Sequence, residues 1–195
     1  IPPVLPSTLP PDADDQGEIL VANVYEGLDA AAQGLIKEIR VIQIFPKTTP
    51  VGGTPPIGLA LEENARAVLG SAPVEPDGSV HVTVPARKPL LFQPLDENGM
   101  ELRRMRSYVS FQPGETRGCA GCHETRAAAP RLPSNVPLAV LRDPSTPVPP
   151  PWGHKPLNFL RDIQPVLNRN CLSCHSGPKP AGNVDLSPGL TAHNN

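Results

Sequence analysis

The chain is short of aromatic residues and contains no long apolar run. Aromatic side chains make up 4% of its 195 residues and all hydrophobic residues together 38%, which limits the size of an apolar core. No stretch reaches the 18 consecutive apolar residues that a membrane-spanning helix needs. The formal net charge is only −2, so no basic excess indicates a nucleic-acid or membrane-surface partner.

The sequence begins at Ile1 rather than Met, and its first residues show no signal-peptide pattern. We therefore expect a processed chain or part of a longer protein. Proline, by contrast, is abundant: 28 of 195 residues, against a usual share of about 5%. Because proline lacks an amide hydrogen and interrupts helices, we expect few helices, short strands and much extended chain. A covalently held cofactor would give such a chain additional cohesion.

Alternating and β-branched segments predict several short strands before residue 112. They are GEILVANVYEG (17–27), EIRVIQIF (38–45), SVHVTV (79–84), PLLFQPL (89–95) and ELRRMRSYVSF (101–111). The segment 59–70 is predicted as a short helix. A second helical pattern covers 158–170, with Asn158 as its N-cap and Pro165 as a kink.

The pattern C-x-x-C-H occurs twice. The first copy comprises Cys119, Cys122 and His123, and the second comprises Cys171, Cys174 and His175. Two thiols three residues apart can each add to one vinyl group of a porphyrin, and the following His then donates a nitrogen to the iron. The sequence therefore predicts two covalently bound haem c groups, which use all four cysteines.

Rival interpretations of the cysteines explain less. A redox dithiol is expected in a thioredoxin-like βαβ context, and the sequence has none. One zinc shared by both pairs would need a spacing of roughly 15–20 residues, whereas 48 residues separate Cys122 from Cys171. Two disulfides are compatible with a secreted chain. None of these interpretations accounts for the His that follows each pair.

These patterns predict an α+β chain with little regular secondary structure. Its parts are an extended proline-rich lead-in (1–16), a small antiparallel β-sandwich ending in the first motif (17–126), a proline-rich linker (127–156) and a small helical cytochrome c-like domain (157–195). The linker contains nine prolines. The last domain need not be complete at its C-terminal end.

The ligand on the far side of each iron is left open among three spare histidines. His81 or His154 is expected at the first haem, and His193 or His154 at the second. His81 lies on the polar face of its predicted strand, so it is either solvated or a ligand. Met100 and Met105 are alternatives, although the pattern of apolar residues around Met105 favours a core position.

Two further groups are candidates for contact with a porphyrin. Arg104 and Arg106, together with Arg103, form the densest basic cluster; they either cover a solvated strand face or pair with haem propionates. Trp152 either packs on a porphyrin or covers the seam between the domains.

Several blocks resemble known families. NFLRDIQPVLNRNCLSCHSG, followed by NVDL, resembles the cytochrome c domain common in planctomycete proteins. VEPDGSVHVTVP, PLLFQPLDENG, MRS and PGETRGCAGCHE resemble the middle domain of the hydrazine synthase alpha subunit family, and GEILVANVYEGL resembles the segment that leads into it. Together the matches cover about 20–193. In that family a β-propeller precedes the middle domain, which strengthens the expectation of a longer parent protein.

The resemblance also implies a difference in chemistry. The catalytic haem of that family is ligated by a Tyr shortly after C-x-x-C-H, and residues 124–129 contain no Tyr. The resemblance therefore implies a relative whose haems serve electron transfer, with no catalytic residue assigned. We expect a dihaem cytochrome in the periplasm or outside the cell, which carries single electrons between donor and acceptor proteins.

Two alternatives to electron transfer stay open. One is an enzyme of nitrogen or peroxide chemistry, similar to the hydrazine synthase alpha subunit, with one open iron site. The other is a subunit of a polymeric extracellular cytochrome filament, in which a neighbouring copy supplies a His ligand.

Overall fold

A computed structural model describes residues 15–49, 54, 56–58, 63–122 and 134–189. Its strands are β1 (Gln16–Val21), β2 (Glu38–Ile44), β3 (Arg66–Pro73), β4 (Val80–Pro85), β5 (Leu90–Leu95) and β6 (Thr116–Cys119). Its α-helix is α1 (Gln164–Asn170), preceded by a π-helical turn at Phe159–Ile163, and 3₁₀ turns lie at Ala30–Ala32, Leu138–Leu141 and Ala181–Asn183. Low regular secondary structure and the α+β class are thus confirmed.

The strands form two three-stranded sheets, with strand orders β4-β1-β6 and β3-β2-β5. The pairs β1–β4 and β2–β5 are antiparallel, as the sequence predicts. The pair β1–β6 is parallel, so the first sheet is mixed. β6 has the sequence TRGC, and such a segment carries no apolar alternation by which it could have been predicted.

Both sheets contribute to one core cluster. On β1 and β4 every second residue is buried, with Ile19, Val21 and Val82 at most 6% exposed, because successive side chains of a strand point to opposite faces. The second sheet adds Val41 and Leu90 to the same cluster. β5 is buried at all six positions. This packing of two sheet faces positions the end of β6 and the cysteines that follow.

Residues 134–154 belong to the same compact unit as the two sheets, namely 1–44 with 68–154. Ser71 and Val148 exchange two backbone hydrogen bonds (3.0 and 2.8 Å). The N–H of Leu138 donates to a carboxylate oxygen of Asp77 at 2.8 Å. The described part of the predicted linker is therefore hydrogen-bonded to strands and turns rather than wholly extended.

The second compact unit comprises 45–67 and 155–195. Asn158 caps its helical segment as predicted, since its side-chain oxygen accepts from the N–H of Arg161 at 2.9 Å. Pro165 lies in the first turn of α1, where a proline costs no hydrogen bond. The predicted helical segment is therefore present, and it changes from a π-helical turn to an α-helix just before this proline.

Two other predicted elements differ from the structure. Residues 101–111 do not form a continuous strand; only isolated bridges join Glu101 to Leu95 and Val109 to Leu90. The predicted helix over 59–70 is wrong at its end, where β3 begins at Arg66, and residues 59–62 lie outside the described part. In the described part of the chain, no helix is long and apolar enough to cross a membrane.

Candidate cofactor sites

The first cysteine pair is held at the end of β6. Val21 of β1 pairs with Cys119 in the parallel ladder. Beyond the strand, the N–H of Ala22 donates to the carbonyl of Cys119 at 2.8 Å, and that of Asn23 donates to Ala120 at 3.1 Å. Backbone hydrogen bonds therefore fix the start of the motif against the segment that leaves β1.

Both thiols of this pair line one cavity of about 400 Å³. That volume lies within the range of small-molecule and cofactor sites. Its apolar lining comes from both sheets and its remaining wall from the loop that replaces the predicted strand. The lining residues are Ile19, Val21, Ile39, Phe92, Pro94, Arg103, Arg104, Met105, Arg106, Ser107, Gly118, Cys119, Gly121 and Cys122.

Three arginines lie in this lining, at 103, 104 and 106. The Nε of Arg104 donates to a carboxylate oxygen of Glu101 at 2.6 Å, which orients its guanidinium. Arg103 and Arg106 are exposed. A guanidinium binds a carboxylate through two parallel hydrogen bonds, so the cavity combines an apolar interior with cations suited to carboxylate groups.

Burial raises the pKa of the Cys122 thiol to about 12, and the neighbouring Cys119 adds a smaller effect in the same direction. A thiol with this pKa stays protonated at neutral pH. Reactive dithiols instead depend on a lowered thiol pKa. The geometry at the first pair therefore disfavours the redox-dithiol interpretation.

Met105 lines the same cavity as the two thiols. The sequence pattern favours a core position, but the side chain is half-buried and packs at the edge of the core cluster, as Cys119 and Cys122 do. Its N–H donates to the carbonyl of Phe92 at 3.2 Å. The loop 103–107 is therefore tied to β5 at the point where it borders the cavity.

The second pair follows α1, and its His has a defined orientation. The Nδ1 of His175 lies 3.1 Å from the carbonyl oxygen of Val184. Because a carbonyl only accepts, Nδ1 carries the proton and Nε2 presents its lone pair. This is the arrangement in which a second hydrogen bond orients a metal-ligating imidazole.

Backbone hydrogen bonds support this orientation from both sides of His175. Its N–H donates to the carbonyl of Cys171 at 2.9 Å, and its own carbonyl accepts from Leu186 at 2.9 Å. The buried amide of Gln164 donates to the carbonyl of Leu186, also at 2.9 Å. α1 and the segment 184–186 are thereby connected around the motif.

The second unit leaves many apolar side chains uncovered. Between 37% and 52% of each of the following is exposed: Leu157, Phe159, Leu160, Ile163, Val166 and Val184. Of its described residues, only Ala67 and Gln164 are buried. An exposed apolar surface of this kind fits contact with a further apolar group.

The structure does not bring His81 to the first cysteine pair. His81 pairs with Leu20 on β1, and strand alternation turns both away from the cavity, which Ile19 and Val21 line. Its Nε2 lies 2.8 Å from a carboxylate oxygen of Glu18, and its Nδ1 is buried without a hydrogen-bond partner among the described residues.

The other predicted residues are either exposed or outside the described part. Trp152 and His154 lie in an exposed turn, and neither lines the cavity beside Cys119 and Cys122. His123 and His193 fall outside the described residues. Among the residues that are described, no three His, Cys, Asp or Glu side chains are grouped to hold a metal ion.

Comparison with known proteins agrees with this architecture. A family model described as the hydrazine synthase alpha subunit middle domain matches residues 34–124. The chain resembles the hydrazine synthase alpha subunit family. The match to the hydrazine synthase alpha middle domain ends just after the first cysteine pair and includes the loop 103–107; the second pair lies beyond it. No curated protein matches the chain.

A solved structure of Kuenenia stuttgartiensis hydrazine synthase has a similar fold. It superposes with a TM-score of 0.70 at 21% sequence identity and covers 91% of this chain. This chain covers 31% of that one, so it spans about a third of the solved hydrazine synthase chain. At this identity the likeness concerns the fold.

Proposed function

We propose that this chain is a dihaem c-type cytochrome that carries single electrons outside the cytoplasm. The observation that carries the proposal is the cavity in which Cys119 and Cys122 face a mainly apolar interior beside three arginines. A disulfide needs no such cavity, and a reactive thiol needs a lowered pKa, whereas burial raises the pKa of Cys122. The resemblance to the hydrazine synthase alpha subunit family supports the haem-binding part of the proposal.

In the first site the thiols of Cys119 and Cys122 would form the two thioether bonds, with His123 as the proximal ligand. Ile19, Ile39 and Phe92 would exclude water from the porphyrin faces. Arg104 and Arg106 would bind the propionates, a role for which their position in the lining is suited.

In the second site Cys171 and Cys174 would form the thioethers and His175 the proximal bond. The hydrogen bond from His175 Nδ1 to Val184 would hold the imidazole plane and keep Nε2 available. His154 and His193 remain the proposed distal ligands.

A bound haem supplies one-electron chemistry by changing the oxidation state of its iron. The chain would attach it, exclude water and tune its potential through ligands and burial. Donor and acceptor proteins would be its partners, and maturation of c-type cytochromes outside the cytoplasm would set its location.

The test is to produce the chain in a bacterial host that matures c-type cytochromes and to weigh the intact product. We expect the intact mass of the native chain to exceed that of the polypeptide by the mass of two haem groups. The double variants C119A/C122A and C171A/C174A should each carry one. An exported, intact chain without haem would contradict the proposal.

The match to the hydrazine synthase alpha middle domain favours a second candidate, a haem enzyme with one open iron site. Electron paramagnetic resonance of the ferric protein and carbon monoxide binding to the ferrous protein separate the two. Two low-spin haems that do not bind carbon monoxide support an electron carrier. A high-spin ferric signal with tight carbon monoxide binding supports the enzyme.

A further inference from the structure

We propose that the thioether sulfur of Met105 is the distal ligand of the haem at Cys119 and Cys122. The proposal rests on the proposed function, since it requires a haem at the first motif. It names the group that would make this site six-coordinate, for which the sequence had favoured a histidine.

The first argument is position. Met105 and both thiols border one cavity, and all three pack half-buried against the same core cluster. The hydrogen bond from the N–H of Met105 to Phe92 holds its backbone beside β5. Because Cys119 and Cys122 extend β6 in the other sheet, the methionine and the cysteines approach the cavity from different elements.

The second argument is chemistry. Among the described cavity-lining residues other than the two cysteines, Met105 alone carries an atom that commonly ligates haem iron. Arginine has no free lone pair to donate, and the hydroxyl of Ser107 is a weak ligand for haem. The long unbranched side chain of methionine adapts to such a site.

The third argument is the placement of the competitors. His81 contacts Glu18 on the face of β1 that turns away from the cavity. Met100, the other methionine of the chain, is 65% exposed and does not line the cavity. His154 is exposed and does not line it either.

Methionine ligation has two consequences for the first haem. It fills the position that a catalytic or gas-binding haem leaves open, and it raises the reduction potential relative to ligation by two histidines. The first haem would then be the higher-potential partner of a second haem with two histidines.

The experiment uses the intact holoprotein, with two haems verified by mass. Ferric haem with a methionine ligand has a weak near-infrared charge-transfer band, and the ligated methyl group of the ferrous form is shifted far upfield in the proton spectrum by the porphyrin ring current. The chain has only two methionines, so methyl-labelled methionine gives two signals. We expect one shifted signal, which remains in M100L.

The variant M105L removes the sulfur and keeps a similar apolar volume. We expect it to lose the near-infrared band, lower the potential of one haem and keep both haems attached, whereas M100L leaves all three properties unchanged. If M105L does not fold, the labelled M100L protein still tests the assignment. Its remaining methyl signal belongs to Met105, so an upfield shift of that signal shows ligation by Met105.

Two results would overturn the inference. One is a native holoprotein that has both haems attached but shows neither the shifted methyl signal nor the near-infrared band. The ligand assignment would then be wrong, while the proposed function would still hold. The other is a band that persists in M105L. A protein without haem at Cys119 and Cys122 would instead contradict the proposed function itself.

Discussion

Gly121, between the cysteines of the first motif, packs against the backbone of Glu26. A Cβ at this position would collide with the carbonyl oxygen of Glu26 and lie 2.9 Å from its carbonyl carbon. We therefore expect G121A to displace the motif, to destabilise the chain by about 1–3 kcal/mol and to lower the fraction of molecules with haem at Cys119 and Cys122. Thermal unfolding and intact mass measure both effects.

Gly189 provides the control for this substitution. It does not line the cavity, and a Cβ there would meet only the carbonyl oxygen of Ser187, at 4.0 Å. G189A should therefore keep the melting temperature and the haem content of the native chain. Equal effects of G189A and G121A would show that the contact with Glu26 does not position the motif.

Asp77 joins the turn before β4 to the segment 134–141. Burial alone would raise its pKa, but hydrogen bonds from the N–H of Leu138 and from Ser79 outweigh burial and lower the pKa below its ordinary value. The carboxylate therefore stabilises the fold above about pH 4, the unfolded-state pKa, and this contribution is lost as the pH falls through the folded-state pKa.

The variant D77N tests this contribution. We expect it to destabilise the chain by about 1 kcal/mol at pH 7. The difference in melting temperature between D77N and the native chain should shrink as the pH falls below about 4. D143N removes the same charge at an exposed position two residues beyond the segment that Asp77 binds, so it is the control. A gap that stays constant down to pH 3 would contradict the role of the ionised carboxylate.

At the scale of elements, the sequence predicted those strands whose pattern reflects burial. β1, β2, β4 and β5 were found because β-branched residues alternate or run together between turn residues. β6 has no such pattern. It is a strand because it pairs with β1, which lies about 100 residues earlier, and a local sequence pattern cannot predict pairing with so distant a segment. The loop 103–107 was taken for a strand because its alternation is real, yet its arginines line a cavity.

The candidate sites divide in the same way. Spacing alone made the cysteines and His175 candidates, because haem attachment requires fixed separations along the chain. The surroundings of Met105 and His81 depend on which sheet face each meets, which the sequence leaves open. The pattern around Met105 favoured the core; the structure places the side chain at the edge of the core, on the cavity.

Gln164 connects α1 to the segment that carries Val184. Its amide donates to the carbonyl of Leu186 and to the side chain of Asn168, both at 2.9 Å. Q164L replaces the amide by an apolar side chain of similar size and leaves the carbonyl of Leu186 without this donor. We therefore expect the free energy of unfolding to fall by about 1–2 kcal/mol. The orientation of His175 should loosen with it, which would broaden the low-spin signal of the second haem.

Asn170 offers a control on the same helix. Its side chain is exposed, and among the described residues it donates only to the carbonyl of Val166, at 3.0 Å within the helical segment. N170A should therefore change the low-spin signal little. If Q164L also leaves that signal and the stability unchanged, the bond to Leu186 does not support the second site.

At the scale of the whole molecule, the two compact units differ in how much of their stability is their own. In the first unit a continuous cluster contributed by both sheets buries large side chains such as Ile39, Leu90 and Phe111 completely or nearly so. In the described part of the second unit only Ala67 and Gln164 are buried. Burial of apolar area is the main favourable contribution to folding, so we expect the second unit to depend far more than the first on the haem proposed for it.

Removal of one haem at a time tests this difference. In C119A/C122A we expect amide protection of β1, β2, β4 and β5 to persist, because their shared core does not need the porphyrin. In C171A/C174A we expect amides of α1 to exchange at least tenfold faster, approaching the unfolded chain, while the sheets keep their protection. Hydrogen–deuterium exchange with mass spectrometry resolves these segments. Undiminished protection of α1 in C171A/C174A would mean that the second unit folds without its haem, and its exposed apolar surface would then require another explanation.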